Sequence, residues 1–286
     1  MLSAKENAKK YKRAYVEITN ACNMSCSFCL GTSRKKRMMT ASEFEYVAER
    51  LADLTDYVYL HVLGEPLLHP ELPEIIRIAS ERALKVAITT NGTLLDKRGD
   101  ELISSGVYKV SISLHSFEGS ESEKQAEYVN KCLDFADKAS KSGVLTVLRL
   151  WNRGCDDGRN DSTLSLVRSA FPDGWVESDR GIRIRHKLHL EWGDRFEWPR
   201  MDIPVIGDRG FCYGLSDHFG ILSDGTVVPC CLDRDGDIAL GNVFETELSS
   251  ILSSDRAENV RLGFKCREAR EELCKRCGYR TRFKIQ

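Results

Sequence analysis

The chain of 286 residues is 42% hydrophobic and 30% charged, and its 42 Lys and Arg nearly cancel its 43 Asp and Glu. Such a chain can bury a large core, and its balance leaves no global field to draw it to nucleic acid or an anionic membrane. The stretch Met1–Lys10 is polar and lysine-rich, and no segment approaches the roughly 20 apolar residues of a spanning helix, so a cytoplasmic location with reduced cysteines is expected.

From about Tyr11 to Trp192, short β-branched runs alternate with longer helical patterns, which predicts βα units around a parallel sheet. Strands are predicted at Ala14–Thr19, Tyr57–Val62, Lys85–Thr89, Val107–Leu114, Val144–Trp151 and Ile182–Leu190. Helices are predicted at Thr40–Leu54, Pro70–Ala83, Leu94–Ser105, Glu121–Ser142 and Ser162–Ala170. Right-handed crossovers would curl these units together, but six strands are too few for an eight-stranded barrel. The expected fold class is therefore α/β, an open partial (β/α)6 TIM-like barrel over residues 11–195.

Pro199 and Pro204 then interrupt the rhythm, and a segment rich in Gly, Asp and Cys follows, so residues 196–286 are expected to form a small β-hairpin and helix domain. Phe219–Leu222 and Thr226–Pro229 flank Ser223-Asp224-Gly225, where Asp-Gly supplies the positive φ of a tight hairpin turn. Leu248–Leu252 reads as a short helix. The one compact charge run, Arg34-Lys35-Lys36-Arg37, is expected as a solvated loop, with a phosphate or RNA contact as the alternative.

Eleven cysteines in a reducing compartment point to metal or redox chemistry where they cluster. Cys22, Cys26 and Cys29 follow the first strand, at the end of a barrel where such folds do chemistry. Three thiolates on a 4Fe-4S cluster leave one iron without a protein ligand, free to bind something else. Zinc fits less well, because a structural zinc site wants four grouped ligands. Later in the chain, Cys212, Cys230, Cys274 and Cys277 offer a complete set of four, which suits an iron–sulfur cluster or, alternatively, zinc. Cys132 and Cys155 read as ordinary small side chains, and Cys231 and Cys266 fit no second complete set.

The run Cys22-Asn23-Met24-Ser25-Cys26-Ser27-Phe28-Cys29 resembles the signature loop of the radical S-adenosylmethionine (SAM) superfamily. The resemblance implies that the open iron chelates SAM, that Phe28 lies against adenine, and that reductive SAM cleavage gives a 5′-deoxyadenosyl radical which takes a substrate hydrogen atom. Gly64-Glu65-Pro66 is similar to the superfamily's Gly-Gly-Glu-Pro motif, with Leu63 in place of the first glycine, and implies a contact of Glu65 with the SAM ammonium. Thr90-Asn91-Gly92 resembles its Thr-Asn-Gly element, implying that Asn91 reaches the ribose or methionyl end. Ser111-Ile112-Ser113-Leu114-His115 stands where many relatives carry Ser-Leu-Asp; Ser113 is then a SAM contact and His115 a substrate-side candidate.

The later cysteines, with Gly225 five residues before Cys230, resemble the SPASM module and its shortened form Twitch, implying one auxiliary 4Fe-4S cluster beside the SAM-binding one. A fully ligated cluster can accept an electron, which implies an oxidoreductase. The pattern resembles the small 2-deoxy-scyllo-inosamine dehydrogenases, and Asn152-Arg153-Gly154 makes Arg153 a substrate-binding candidate; Arg149 could pair with the SAM carboxylate. An alcohol or amino-sugar-like substrate and a flavodoxin or ferredoxin reductant are then expected. Peptide maturases that oxidise Cys or Ser or form crosslinks are the rival class. Many of those carry an added peptide-binding domain, for which the residues before the first predicted strand leave no room. A non-catalytic iron–sulfur scaffold would leave Glu65, Asn91 and Ser113 without a role.

Overall fold

The computed structural model describes residues 10–119, 124–156, 158–178 and 181–283. Its sheet begins with β1 (Arg13–Val16), β2 (Tyr57–Tyr59), β3 (Lys85–Thr90), β4 (Lys109–Ser113) and β5 (Leu145–Arg153), each parallel to the next. Helices α1 (Ala41–Leu51), α2 (Leu72–Glu81), α3 (Leu95–Ser104) and α4 (Gln125–Lys141) cross between them, and α5 (Arg159–Ala170) follows β5. The predicted start of α4 at Glu121 lies outside the described residues.

Local sequence explains where helices start and which way they face. Thr40 caps α1, its hydroxyl accepting from Glu43 N while the Glu43 carboxylate accepts from Thr40 N. Phe44, Val47, Ala48 and Leu51 then fall on one stripe and are buried. Pro73 sits in the first turn of α2, where its missing N–H costs nothing, and Ile75, Ile76 and Ala79 face inward. These stripes pack on the outward residues of the strands, including Ala14, Val16, Val58, Val110, Ile112 and Leu148, all fully buried.

The predicted sixth strand is two strands. A turn at His186-Lys187, with Lys187 at φ 63°, separates β7 (Gly181–Arg185) from β8 (Leu188–Asp194). Only β8 pairs parallel to β5; β7 and the short β6 (Val176–Ser178) complete an antiparallel edge.

The predicted hairpin forms as β9 (His218–Ile221) and β10 (Thr226–Val228), but it does not build a sheet of its own. β9 lies parallel to β1, from Arg13 opposite His218 to Val16 opposite Ile221. With β11 (Gly241–Asn242), one continuous sheet runs β11-β10-β9-β1-β2-β3-β4-β5-β8-β7-β6. The sheet is not closed, as expected, and the carboxy-terminal segment extends its β1 edge. Beyond it lie α6 (Leu248–Leu252), predicted with the same bounds, α7 (Asp255–Lys265), which the sequence reading missed, and the single turn α8 (Glu272–Lys275). Among the described residues no helix is long and apolar enough to cross a membrane.

The charge run is solvated only in part: Lys35 and Lys36 are exposed, but the two arginines are not free. Arg34 meets Glu17, and Arg37 reaches the Ser223 carbonyl and the Glu43 carboxylate. These partners lie 17, 186 and 6 residues away. The two arginines therefore join the loop after β1 to the hairpin turn and to α1, and their guanidinium groups are committed to protein rather than to phosphate.

Candidate active site

Cys22, Cys26 and Cys29 occupy the loop between β1 and α1, whose base is stitched shut. Thr19 Oγ1 donates to the Arg37 carbonyl at 3.2 Å, Asn20 Nδ2 to Lys35 O at 3.0 Å, and Arg37 N to Asn20 Oδ1 at 2.9 Å. Above this base Cys22 and Cys29 are exposed and Cys26 is half-buried, its thiol donating to Ser116 O at 3.4 Å. Burial, with Cys29 and Cys22 close by, pushes the Cys26 thiol up to about 11. Cys22 and Cys26 are held up as thiols by burial and by their neighbours, which ligation to a shared metal cluster would relieve, since a metal takes the thiolate. Among the described residues no three Cys, His, Asp or Glu side chains converge on a single ion position.

The loop after β2 presses against this one. Gly64 has φ 78°, and a Cβ there would lie 2.2 Å from Thr19 O and 2.9 Å from Ala21 O, so no other residue fits without displacing backbone. Glu65 N donates to Ala21 O at 2.8 Å. The Glu65 carboxylate is 1% exposed and accepts from Leu67 N at 3.0 Å, Thr90 Oγ1 at 2.8 Å and Asn91 N at 2.7 Å. Burial pushes this carboxyl up, and those hydrogen bonds oppose it. Glu65 thus braces the loop after β3. Asn91, in turn, donates through Nδ2 to Asn23 Oδ1 at 2.9 Å and approaches Cys22 Sγ at 3.7 Å. Both side chains hold the cysteine loop from beneath.

On the far side, Ser113 ends β4 with 9% exposure. The Phe28 ring lies 4.9 Å from the His115 ring, between their centroids. His115 Nδ1 is 3.1 Å from the Arg149 carbonyl, and burial pushes the imidazole down to about 4, so it is neutral at physiological pH. The structure therefore brings Phe28, Ser113, His115 and Arg149 to one wall of the mouth. Arg153 stands apart, its side chain 61% exposed at the rim and 3.9 Å from Asp194.

The second cysteine group assembles from three segments. Cys230 follows β10 and is half-buried; loss of water first, then Cys231, Cys212, Cys274 and Cys277, push its thiol far up. Cys274 is raised by burial and by Cys212 and Cys277, and Cys212 goes up to about 11 through burial and Cys277. Cys212, Cys230, Cys274 and Cys277, each half-buried, thus lie near one another without converging on a single ion position. Sequence reading missed Arg280, which is 5% exposed and donates to Cys274 O at 3.1 Å, Gly207 O at 2.6 Å and Arg209 O. It ties the strand of chain entering Cys212 to the Cys274 turn. A single arginine carries no spacing signal that would have exposed this role. Cys231 packs with Tyr15 of β1 against Val62, Leu222 and Val228, and its thiol also neighbours that of Cys230. Cys132 is fully buried in α4 and Cys155 and Cys266 are exposed.

Comparison with known proteins agrees with this geometry. Residues 16–151 match the radical SAM superfamily model, and residues 212–278 match SPASM, the iron-sulfur cluster-binding domain. GTP 3',8-cyclase of Chlorobaculum tepidum is 34% identical over 54% of this chain and 49% of its own length. The sporulation killing factor maturation protein SkfB of Bacillus subtilis is 25% identical over 91% of this chain and 68% of its own. The crystal structure of BtrN in complex with AdoMet and 2-DOIA superposes with a TM-score of 0.62 at 19% identity, covering 94% of this chain and 93% of BtrN. The chain spans about half the length of the cyclases that it matches. The two domains imply SAM with a 4Fe-4S cluster at the first cysteine group and an auxiliary iron–sulfur cluster at the second. This chain thus carries a radical SAM domain over residues 16–151 followed by a SPASM domain over residues 212–278.

Proposed function

We propose that this radical SAM enzyme removes two electrons from a small polar substrate, an alcohol or amino-sugar-like molecule, seated on the concave face of the partial barrel. The observation that carries the reading is the second cysteine group: four half-buried thiols, with the adjoining Cys231 packed beside Tyr15 on the barrel's inner face. A cluster with all its irons ligated by protein has no coordination site to spend on SAM, and its position suits electron transfer from a substrate in the barrel.

Cys22, Cys26 and Cys29 would hold the SAM-binding cluster, and Cys212, Cys230, Cys274 and Cys277 the auxiliary one. When bound, SAM on the open iron supplies hydrogen-atom abstraction and the auxiliary cluster an electron sink, with flavodoxin or ferredoxin as the proposed reductant. This chain's own residues prepare that chemistry by position. Asn91 and Glu65 fix the cysteine loop, Phe28 and His115 wall one side of the mouth, and Gly64 and Ser113 lie where SAM would be cradled. Neutral His115 adds no charge there.

A peptide maturase is the second reading, favoured by the match to SkfB across 91% of this chain. Anaerobic reconstitution with reductant and SAM, followed by incubation with aminocyclitols and polyols or with Cys- and Ser-containing peptides, separates the two. The first reading expects 5′-deoxyadenosine together with loss of two hydrogens from a small molecule. Turnover of peptides alone overturns it in favour of the second.

A further inference from the structure

TIM-like barrels fill their interior mainly with Val, Ile and Leu. Here the concave face carries a cation and hydrogen-bond donors, some of whose polar atoms find no partner among the described residues. The Arg149 guanidinium lies on the Trp151 ring, 3.7 Å from its centroid, and its one hydrogen bond is a long 3.5 Å contact from Nη1 to Thr89 Oγ1. Thr89 Oγ1 is in turn 3.3 Å from His61 Nε2. Along this row Arg149 Nε, Trp151 Nε1 and His61 Nδ1 are buried with no hydrogen-bond partner.

Among the described residues no carboxylate comes within ion-pair distance of Arg149. Glu191 is its register partner on β8, yet the two form no salt bridge, and Lys109 competes for the same carboxylate. The Arg149 side chain is half-buried with its Nε shielded from water, and with Glu191 beyond ion-pair distance its charge is left without a close partner, which is costly unless something completes it. The missing partner is described by what surrounds the gap: one fixed positive fork, an indole N–H and a neutral imidazole. An oxyanion, with several lone pairs and a negative charge, meets all three, and the planar fork suits carboxylate or phosphate.

We propose that Arg149, flanked by Trp151 and His61, binds a carboxylate or phosphate group of the substrate. The inference rests on the concave face being the substrate site, and narrows the substrate to an anion-bearing molecule. The same chemistry could instead be supplied by the carboxylate of SAM, and the two sources give different results.

The test uses reconstituted holoenzyme already saturated with SAM, titrated at constant ionic strength with sodium phosphate and, separately, sodium acetate. Binding is followed by tryptophan fluorescence and calorimetry, and SAM affinity is measured on the same preparations. The expected result is saturable binding of at least one oxyanion, weakened about tenfold or more in Arg149→Gln and less in Arg149→Lys, with SAM affinity within about threefold of the parent. If Arg149→Gln instead weakens SAM by tenfold while oxyanion binding is unchanged, Arg149 serves SAM and the proposal is overturned. Absence of saturable oxyanion binding to the parent enzyme also overturns it. Should the Gln variant lose iron or helical circular dichroism, the Lys variant carries the comparison, and an unchanged oxyanion affinity there counts against the fork. Oxyanion binding without any 5′-deoxyadenosine from SAM and reductant would sink the enzymatic reading while leaving the pocket intact.

Discussion

Arg34 donates through one nitrogen to both carboxylate oxygens of Glu17, at 2.7 Å each, and Glu17 is 0% exposed. Ser223 in the β9–β10 turn donates to the same carboxylate, through Oγ at 2.9 Å and N at 3.2 Å, and Leu63 N does so at 3.3 Å. One carboxylate at the end of β1 thus receives the cysteine loop, the loop after β2 and the SPASM hairpin together.

Removing the arginine alone would strand that carboxylate. Arg34→Met is expected to destabilise the protein by about 3–5 kcal/mol, the range for breaking one side of a buried pair. The double variant Glu17→Gln/Arg34→Met should recover part of the loss. Denaturant unfolding of the four combinations measures the coupling, and additive effects would show that the pair does not interact as described.

Gly64 and Gly31 both have positive φ, at 78° and 61°, but only Gly64 is crowded by backbone; nothing lies within 4 Å of a Cβ at Gly31. Gly31→Ala should therefore cost only about 1 kcal/mol of backbone strain. Gly64→Ala must push the loop after β2 away from Thr19 and Ala21, and is expected to lower iron bound at the first cysteine group. Iron content and unfolding midpoints of the two variants check this, and equal behaviour would refute the packing argument.

Adjacent cysteines make a sharper contrast. Reconstituted protein should bind about eight irons, two clusters of four, and Cys230→Ser should lose about half of them. Cys231→Ser should keep them, because its thiol belongs to the Tyr15 side. Iron and sulfide analysis reads this directly; loss of iron from Cys231→Ser would reassign the ligand set.

Buried imidazoles set a pH dependence. Burial lowers His115 and His218 to about 4 and His61 to about 3, whereas unfolded imidazoles titrate near 6.5. Between those values the unfolded chain binds more protons, so the stability from these groups is present above pH 6.5 and lost as pH falls toward 4. The urea midpoint should be lower at about pH 5.5 than at about pH 7.5, and His218→Gln should shrink that difference. A midpoint insensitive to pH over this range would show that these rings are not buried as neutral species.

What the sequence by itself determined were features whose physics is local. The spacing of Cys22, Cys26 and Cys29 raises the expectation of a cluster with an open iron, the apolar period from Thr40 announces α1, and Asp224-Gly225 announces a hairpin. Each reading needs only residues within a turn or a loop of one another. The alternation of short strands and helices likewise predicted an open parallel sheet. The break at Lys187 was missed because the period-two alternation of Ile182 and Ile184 resumes in phase at Leu188 and Leu190, and α7 because its apolar stripe is weak between the Ser254 cap and Cys266.

Tertiary structure alone decided where those pieces meet. That β9 lies along β1, making the SPASM hairpin part of the barrel sheet, depends on hydrogen bonds between residues about 205 apart, which leave no periodic trace. The same holds for Arg34 and Arg37, which look solvated until Glu17 and Ser223 are brought to them. It holds too for Trp151 and His61, unremarkable in sequence, which join Arg149 in one row only when the sheet curls and turns them inward.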